Sequence, residues 1–309
     1  MSASKADTAN RAAHVPPGSS DPAAAALTGR FEQVWRMARR RQRRRDLAFI
    51  LVFLVAFAAS LQLGQVRIDT FLQGVPQFAD YFVSISPDLH IATFGHDVAA
   101  WYWNIGHWLR SLLDTLLMAF AATLLGFCGG LVLAMLASRN LMPFRPVQYL
   151  ALRCAEFCRS IPELVSATIF VFAFGIGPFA GTLALALHSA GALGKLFGEV
   201  NENLELGAAD AVRASGGNWL QMLRYGVIPA ALPNYLSYAM LRFEINVRSA
   251  SIIGFVGAGG IGQDLMYVVH EFFYHDISAI VLLIIVVVFV IDLFSERLRD
   301  RFLGREALA

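Results

Sequence analysis

Apolar residues along the chain gather in six long blocks, Leu47 to Leu63, Leu112 to Ala137, Val147 to Phe174, Phe179 to Phe197, Pro233 to Phe255 and Ile277 to Phe294. At 1.5 Å per residue, helices of these lengths approach or exceed the roughly 30 Å of a bilayer's hydrocarbon core, so the pattern predicts about six transmembrane helices. As one helix the third block would be about 42 Å long, which puts its first part at or outside the membrane interface. Between the blocks, Gly175, Gly177 and Pro178 predict a tight turn, Gly198 to Gly226 a polar loop, and Gly257 to Gly262 a glycine-rich connection that continues through His275. Residues 65–107 break the pattern with Pro76 and Pro87 and end in Trp101, Tyr102, Trp103 and Trp108, rings that favour the membrane interface. Gly126 and Gly130 in the second block have the spacing that lets two helices approach closely.

Composition agrees with lipid as the main solvent: 57% of residues are hydrophobic and 16% charged, with a mean hydropathy of +0.55. The net charge of +2 is uninformative, but the positions of the basic residues are not. Arg36, Arg39, Arg40, Arg41, Arg43, Arg44 and Arg45 precede the first block, while Arg297, Arg299, Arg301 and Arg305 follow the last, so both termini are expected on the cytoplasmic side. A secretory signal also begins with basic residues, but this apolar run starts late and lacks a clean small-residue cleavage site. The expected organisation is a disordered, Arg-rich cytoplasmic tail over 1–46, a first transmembrane helix and outer segment over 47–110, and a membrane domain over 111–303 with a cytoplasmic loop at about 198–230. Cys128, Cys154 and Cys158 match neither a zinc pair nor a redox motif and read as small core residues.

That loop carries the most specific pattern: Asp210-Ala211-Val212, three residues, Gly216, nine residues, then Gly226-Val227-Ile228-Pro229. Its logic is helix, turn, helix, with Ala211 and Ala214 keeping the first helix slim, Gly216 forming the turn and Pro229 ending the second helix. It resembles the EAA loop of binding-protein-dependent ABC importers, although Asp stands for Glu, Val for Ala and Gly226 for Ile. Arg159-Ser160-Ile161-Pro162 and Val256-Gly257-Ala258-Gly259-Gly260-Ile261-Gly262 are similar to segments of methionine-type and phosphonate-type permeases. Arg159 to Leu164, Gly194-Lys195-Leu196-Phe197 and Asn246-Val247-Arg248-Ser249-Ala250 resemble the phosphonate type more specifically. The resemblance covers about Ser111 to Leu303 and implies an all-α, type I ABC importer permease of the bacterial inner membrane. It also implies a cytoplasmic ABC ATPase dimer that binds ATP and Mg, a periplasmic substrate-binding protein and a second permease subunit in a homodimer. Asp210, Ala211, Val212, Gly216, Gly226, Ile228 and Pro229 would couple to the ATPase. The chain itself has no Walker-type loop and needs no cofactor or metal. A methionine-type importer is the alternative within the family.

Charges in apolar spans mark candidate function, because an unpaired ion there is costly. Arg153, Glu156 and Arg159 share one broad helix face, and Glu244 and Arg248 are spaced to pair, with Arg242 near the inner end. One positive charge is left over in the first set and none in the second. With Asn246 and Ser249 these residues either line a translocation path for a phosphonate-like oxyanion or form structural ion pairs between helices. Gly257, Gly259, Gly260 and Gly262 follow a span instead of a strand, so they are expected to pack helices near an outer gate and not to bind a dinucleotide. An intramembrane enzyme is disfavoured because HExxH and GxSxG motifs are missing, and His270, Glu271, His275 and Asp276 are expected in an outer loop. A channel or secondary transporter would need no such cytoplasmic loop. The basic clusters read as topogenic, with no nucleic-acid partner.

Overall fold

The computed structural model describes residues 22–65, 67–87 and 90–303, and its elements there are helices with short connections. The chain divides into two units, residues 1–78 and 79–309.

The first unit contains α1 (Pro22–Leu63) and the start of α2 (Ile68–Ile85). Residues 22–46 are therefore helical, where a disordered tail was expected; residues 1–21 lie outside the described residues. The reason is local: Ala23 to Ala26 and the following Leu, Glu, Gln, Met and Arg residues are strong helix formers, and the apolar block downstream extends the same helix. From Leu47 to Leu63 its side chains are exposed, as suits a helix surrounded by lipid.

The second unit continues with α3 (Phe94–Trp101), α4 (Ile105–Ala137), α5 (Arg145–Ser160), α6 (Glu163–Phe174) and α7 (Pro178–Asn203). It is completed by α8 (Gly207–Ala214), α9 (Trp219–Met222), α10 (Ile228–Ile253), α11 (Ile261–His270) and α12 (Tyr274–Leu303). Helix α7 is its axis, packed against α4, α5 and α6 through small residues. A Cβ on Gly126 would lie 2.5 Å from the Ser189 Cβ, and one on Gly130 2.8 Å from the Leu193 Cβ, so the GxxxG pair of α4 does face α7. A Cβ on Gly191 would lie 2.6 Å from the Ala155 carbonyl oxygen, which sets the approach of α5.

The core forms three tiers along α4. Trp108 and Leu112 pack with Ile261, Val268, Ile277 and Ile280 at one end. Met118, Ala119 and Ala122 meet Ala184, Leu185, Val247 and Ile253 in the middle. Ala134 and Met135 join Leu193, Phe197, Met222, Val227 and Tyr235 at the other end. Beyond the first tier the aromatic group is tied down, with Trp101 Nε1 donating to the His275 carbonyl (3.0 Å) and Trp103 Nε1 to Asp276 Oδ1 (3.1 Å). Cys128 and Cys154 point outward and Cys158 is half-buried, so the cysteines are not core residues; in lipid an outward thiol has no desolvation to avoid.

Among the described residues, three helices, including α4 and α12, are singly long and apolar enough to cross a membrane, and counting each bent pair as one span raises the number to five. Helix α7 does not meet that test, because a helix wrapped by neighbours needs small residues more than apolar ones. The third expected block is two helices bent by 89° at Ile161-Pro162 instead of one long helix, since a proline disfavours helical backbone before it and removes an N–H. The turn at Gly175, Gly177 and Pro178 forms as expected, with φ of +94° and +148° at the two glycines. The polar loop begins later than expected, because α7 runs on to Asn203. Pro233 lies inside α10 instead of opening it.

Replacing Gly191 by Val should push α5 off α7 and destabilise the purified protein by at least ~1–3 kcal/mol, the usual cost of overpacking. Thermal unfolding in detergent would measure this, and an unchanged midpoint would contradict the close α5–α7 contact.

Candidate functional site

The segment from Gly207 to Val227 folds as a helical hairpin whose turn is dictated residue by residue. Helix α8 ends in a Schellman motif: the Gly217 N–H donates to the Val212 carbonyl (2.9 Å), the Gly216 N–H to the Arg213 carbonyl (3.0 Å), and Gly216 takes φ of +84°. Asn218 then starts α9 with a capping box, its side chain accepting from the Gln221 N–H (2.9 Å) while Gln221 Oε1 accepts from the Asn218 N–H (2.8 Å). The two arms cross with almost no gap, since a Cβ on Gly226 would sit 2.6 Å from the Ala209 Cα. This explains the glycine at 226: the position touches backbone.

Pro229 does not end the second arm, contrary to expectation. Leu223 to Val227 form a π turn in which the Ile228 N–H reaches back to the Leu223 carbonyl, and α10 starts directly from it. A widened turn is how a helix accommodates a proline without stopping. The hairpin's second arm and α10 are thus one continuous rod. Ala209, Met222, Leu223 and Val227 are buried with the ends of α4 and α7. Trp219 Nε1 donates to the Leu141 carbonyl (2.9 Å), and the fully buried Asn201 accepts from the Tyr235 hydroxyl and donates to Ser138 Oγ. Asp210, Ala211, Ala214 and Gly216 remain exposed, so Ala209, and not Ala211 or Ala214, is the residue that keeps the crossing slim.

A second site lies midway along the bundle, at the 89° bend. Glu163, the first residue of α6, accepts from Arg242 of α10 (2.6 Å), with side-chain exposures of only 17% and 9%. Arg242 Nε also donates to Ser189 Oγ (3.0 Å), which donates to Asn246 Oδ1 (3.0 Å); Asn246 Nδ2 donates to Thr123 Oγ1 (2.9 Å), and that hydroxyl donates to the Ala119 carbonyl (2.7 Å). The chain crosses α6, α10, α7 and α4, and each hydroxyl in it both accepts and donates. At the bend, the Ile161 carbonyl lies 3.2 Å from His188 Nδ1; a carbonyl only accepts, so His188 donates through that nitrogen.

The other expected path residues divide by their partners. Arg153 pairs with Glu156. Arg248 pairs with Glu244 and also lies 3.9 Å from Asp292 of α12, so this group carries two acids against one base instead of balancing. Asn246 is wholly buried in the polar chain, while Ser249 is half-buried beside it. Arg159 is exposed at the end of α5 and, among the described residues, has no acidic partner. Sequence reading missed Glu163, Ser189, Thr123 and His188 as a group; the available signal was the isolation of each polar side chain in an apolar run. Asp292 stood in the sixth block without being singled out. In the glycine cluster Gly257, Gly259 and Gly260 all have φ between +76° and +86°, Gly259 abuts Pro178, and the Ile261 N–H donates to Thr115 Oγ1 (2.8 Å). Among the described residues no three His, Cys, Asp or Glu side chains are grouped as metal ligands would be.

Residues 126–305 match the family described as binding-protein-dependent transport system inner membrane component. The chain is 36% identical over 253 residues to a phosphite transport system permease protein of Stutzerimonas stutzeri, a match covering 82% of this chain and 87% of that protein. It is 45% identical over 121 residues to a putative cryptic phosphonate transport system permease protein of Escherichia coli K12, covering 39% of this chain and 99% of that one. Its fold is similar to that of a chain from the inward-facing methionine ABC transporter MetNI, with a TM-score of 0.55 and 22% identity over 63% of this chain and 95% of that one. At that identity the likeness concerns fold alone.

Replacing Gly226 by Val should separate the hairpin's arms. A cost on the order of 2 kcal/mol from overpacking corresponds to roughly 30-fold more local opening. Limited trypsin digestion at Arg213 and Arg224 would report it, and cleavage at the unaltered rate would show that the crossing tolerates a side chain.

Proposed function

The chain belongs to the family of binding-protein-dependent transport system inner membrane components, and from that premise we propose that it carries phosphonate, or a phosphite- or phosphate-like oxyanion, across the inner membrane. It is a multi-pass permease subunit and not an enzyme; ATP hydrolysis in such importers belongs to a separate subunit. In this reading the exposed Asp210, Ala211 and Gly216 seat on a cytoplasmic ABC ATPase, with the half-buried Val212 packing beneath them and Gly226, Ile228 and Pro229 joining the hairpin to α10. Both termini are cytoplasmic, the aromatic end around Trp101 to Trp108 faces a periplasmic binding protein, and a second copy of the chain completes the route.

The mechanism is alternating access. Closure of the ATPases moves the hairpin as a body, because its inner face is part of the core, and the continuous rod into α10 conveys the movement to the opposite tier and the packed glycines at 257 to 262.

The observation that carries the substrate class is the pairing of the arginines. Of the four arginines singled out in these spans, Arg153, Arg242 and Arg248 each have a carboxylate, and among the described residues Arg159 has none, so it is free to meet a passing oxyanion. A guanidinium presents planar paired donors suited to phosphoryl oxygens. The names of the phosphite and phosphonate relatives point the same way. Arg153, Glu156, Glu244, Asn246, Arg248 and Ser249 hold the shape of the route in this reading, with Arg159 at its charged point.

Two measurements test this. With the partner ATPase present, a cysteine at Ala211 should cross-link to it, and one that is never captured would end the coupling assignment. In vesicles supplied with ATP, ATPase and binding protein, uptake should be seen for one of phosphite, phosphate or methylphosphonate and not for methionine. Arg159→Ala should lower that uptake about ten-fold or more, the worth of a charge-assisted hydrogen bond, with the complex intact. Unchanged uptake would remove Arg159 from the route.

A further inference from the structure

We propose that Glu163 and Arg242 are positioning residues that transmit movement of the hairpin to the bend beside Arg159. This rests on the importer reading above and adds to it a specific connection inside the permease.

Arg242 rides on the rod that begins at the hairpin. Trp219 to Ile253 is helical without interruption, and Arg242 lies about 21 Å along the axis from Ile228 at 1.5 Å per residue. At the far end of its side chain is Glu163, the first residue after Ile161-Pro162 and four positions from Arg159 across the break. Among the described residues this is the ion pair that joins α10 to the bent α5–α6 element. The guanidinium is held by two donors at once, NH2 to Glu163 and Nε to Ser189, so it has no slack: a displacement of α10 must move Glu163 or break a buried pair.

The receiving end is suited to move. A helix already interrupted at a proline lacks the backbone bonds that would resist a change of angle. Turning α6 relative to α5 re-aims the end of α5, where Arg159 stands exposed. The rest of the polar chain, Ser189, Asn246 and Thr123, anchors Arg242 to α7 and α4, the elements that form the bundle's axis.

The experiment measures uptake and ATP hydrolysis in the same vesicles, using the complete complex and whichever of phosphite, phosphate or methylphosphonate the unaltered protein takes up. Glu163→Gln keeps the shape and hydrogen-bonding capacity of the side chain but removes its charge. It should lower uptake per ATP hydrolysed roughly ten-fold while hydrolysis stays within about two-fold. Thr168→Val, which deletes a local side-chain bond of α6 to the Leu164 carbonyl and spares both contacts of Arg242, should leave the ratio as it was. If Glu163→Gln fails to assemble, Arg242→Lys, which keeps the charge and loses the double contact, should show the same fall in ratio. The proposal is overturned if the ratio is unchanged in the charge-altered variant, if uptake and hydrolysis fall in parallel, or if Thr168→Val lowers the ratio equally. Absence of ATP-dependent uptake by the unaltered protein would remove the importer reading, and this inference with it.

Discussion

A helix broken inside an apolar bundle leaves charge and backbone poorly solvated, and the Glu163–Arg242 pair is how this protein meets that constraint. Two ions taken out of water are worth keeping only if each is also hydrogen-bonded, since breaking a buried pair by losing one partner typically costs ~3–5 kcal/mol. Here the condition is met by extension: Arg242 spends its second donor on Ser189, and the bonds continue through Asn246 and Thr123 to a carbonyl of α4. The Ile161 carbonyl at the bend is met by His188. The four helices that supply these groups are tied to one another, so a change at the bend is shared with the rest of the bundle.

The hairpin follows from a related demand. Close crossing of helices in a membrane protein depends on small residues, because apolar surface gains nothing by leaving lipid for protein. Gly226 against Ala209 brings the arms together, and Gly126, Gly130 and Gly191 do the same for α7 and its neighbours. The hairpin is therefore built like the transmembrane core and is continuous with it through the π turn before Pro229. A projection so attached moves the bundle when it is moved.

Electrostatics separates the arginines in a way that spacing could not. By spacing, Glu244 and Arg248 balance; in three dimensions Asp292 arrives from α12 and tips that group toward negative charge. By spacing, Arg242 is an extra cation; in the fold Glu163, 79 positions away, neutralises it. What remains is Arg159, the one uncompensated guanidinium of these four, exposed at the end of α5 beside the bend.

The sequence by itself determined the membrane character, the family, the positions of the apolar blocks and the hairpin's turn, because each depends on local chemistry: run length, basic flanks, Gly216 at a left-handed position and a cap at Asn218. Only the tertiary structure decided where helices stop and which charges meet. Pro162 breaks its helix while Pro229 and Pro233 do not, since a proline's effect depends on whether neighbouring groups can take over the missing bond. The same holds for the polar chain, whose members come from four helices and are joined by packing that no local pattern records.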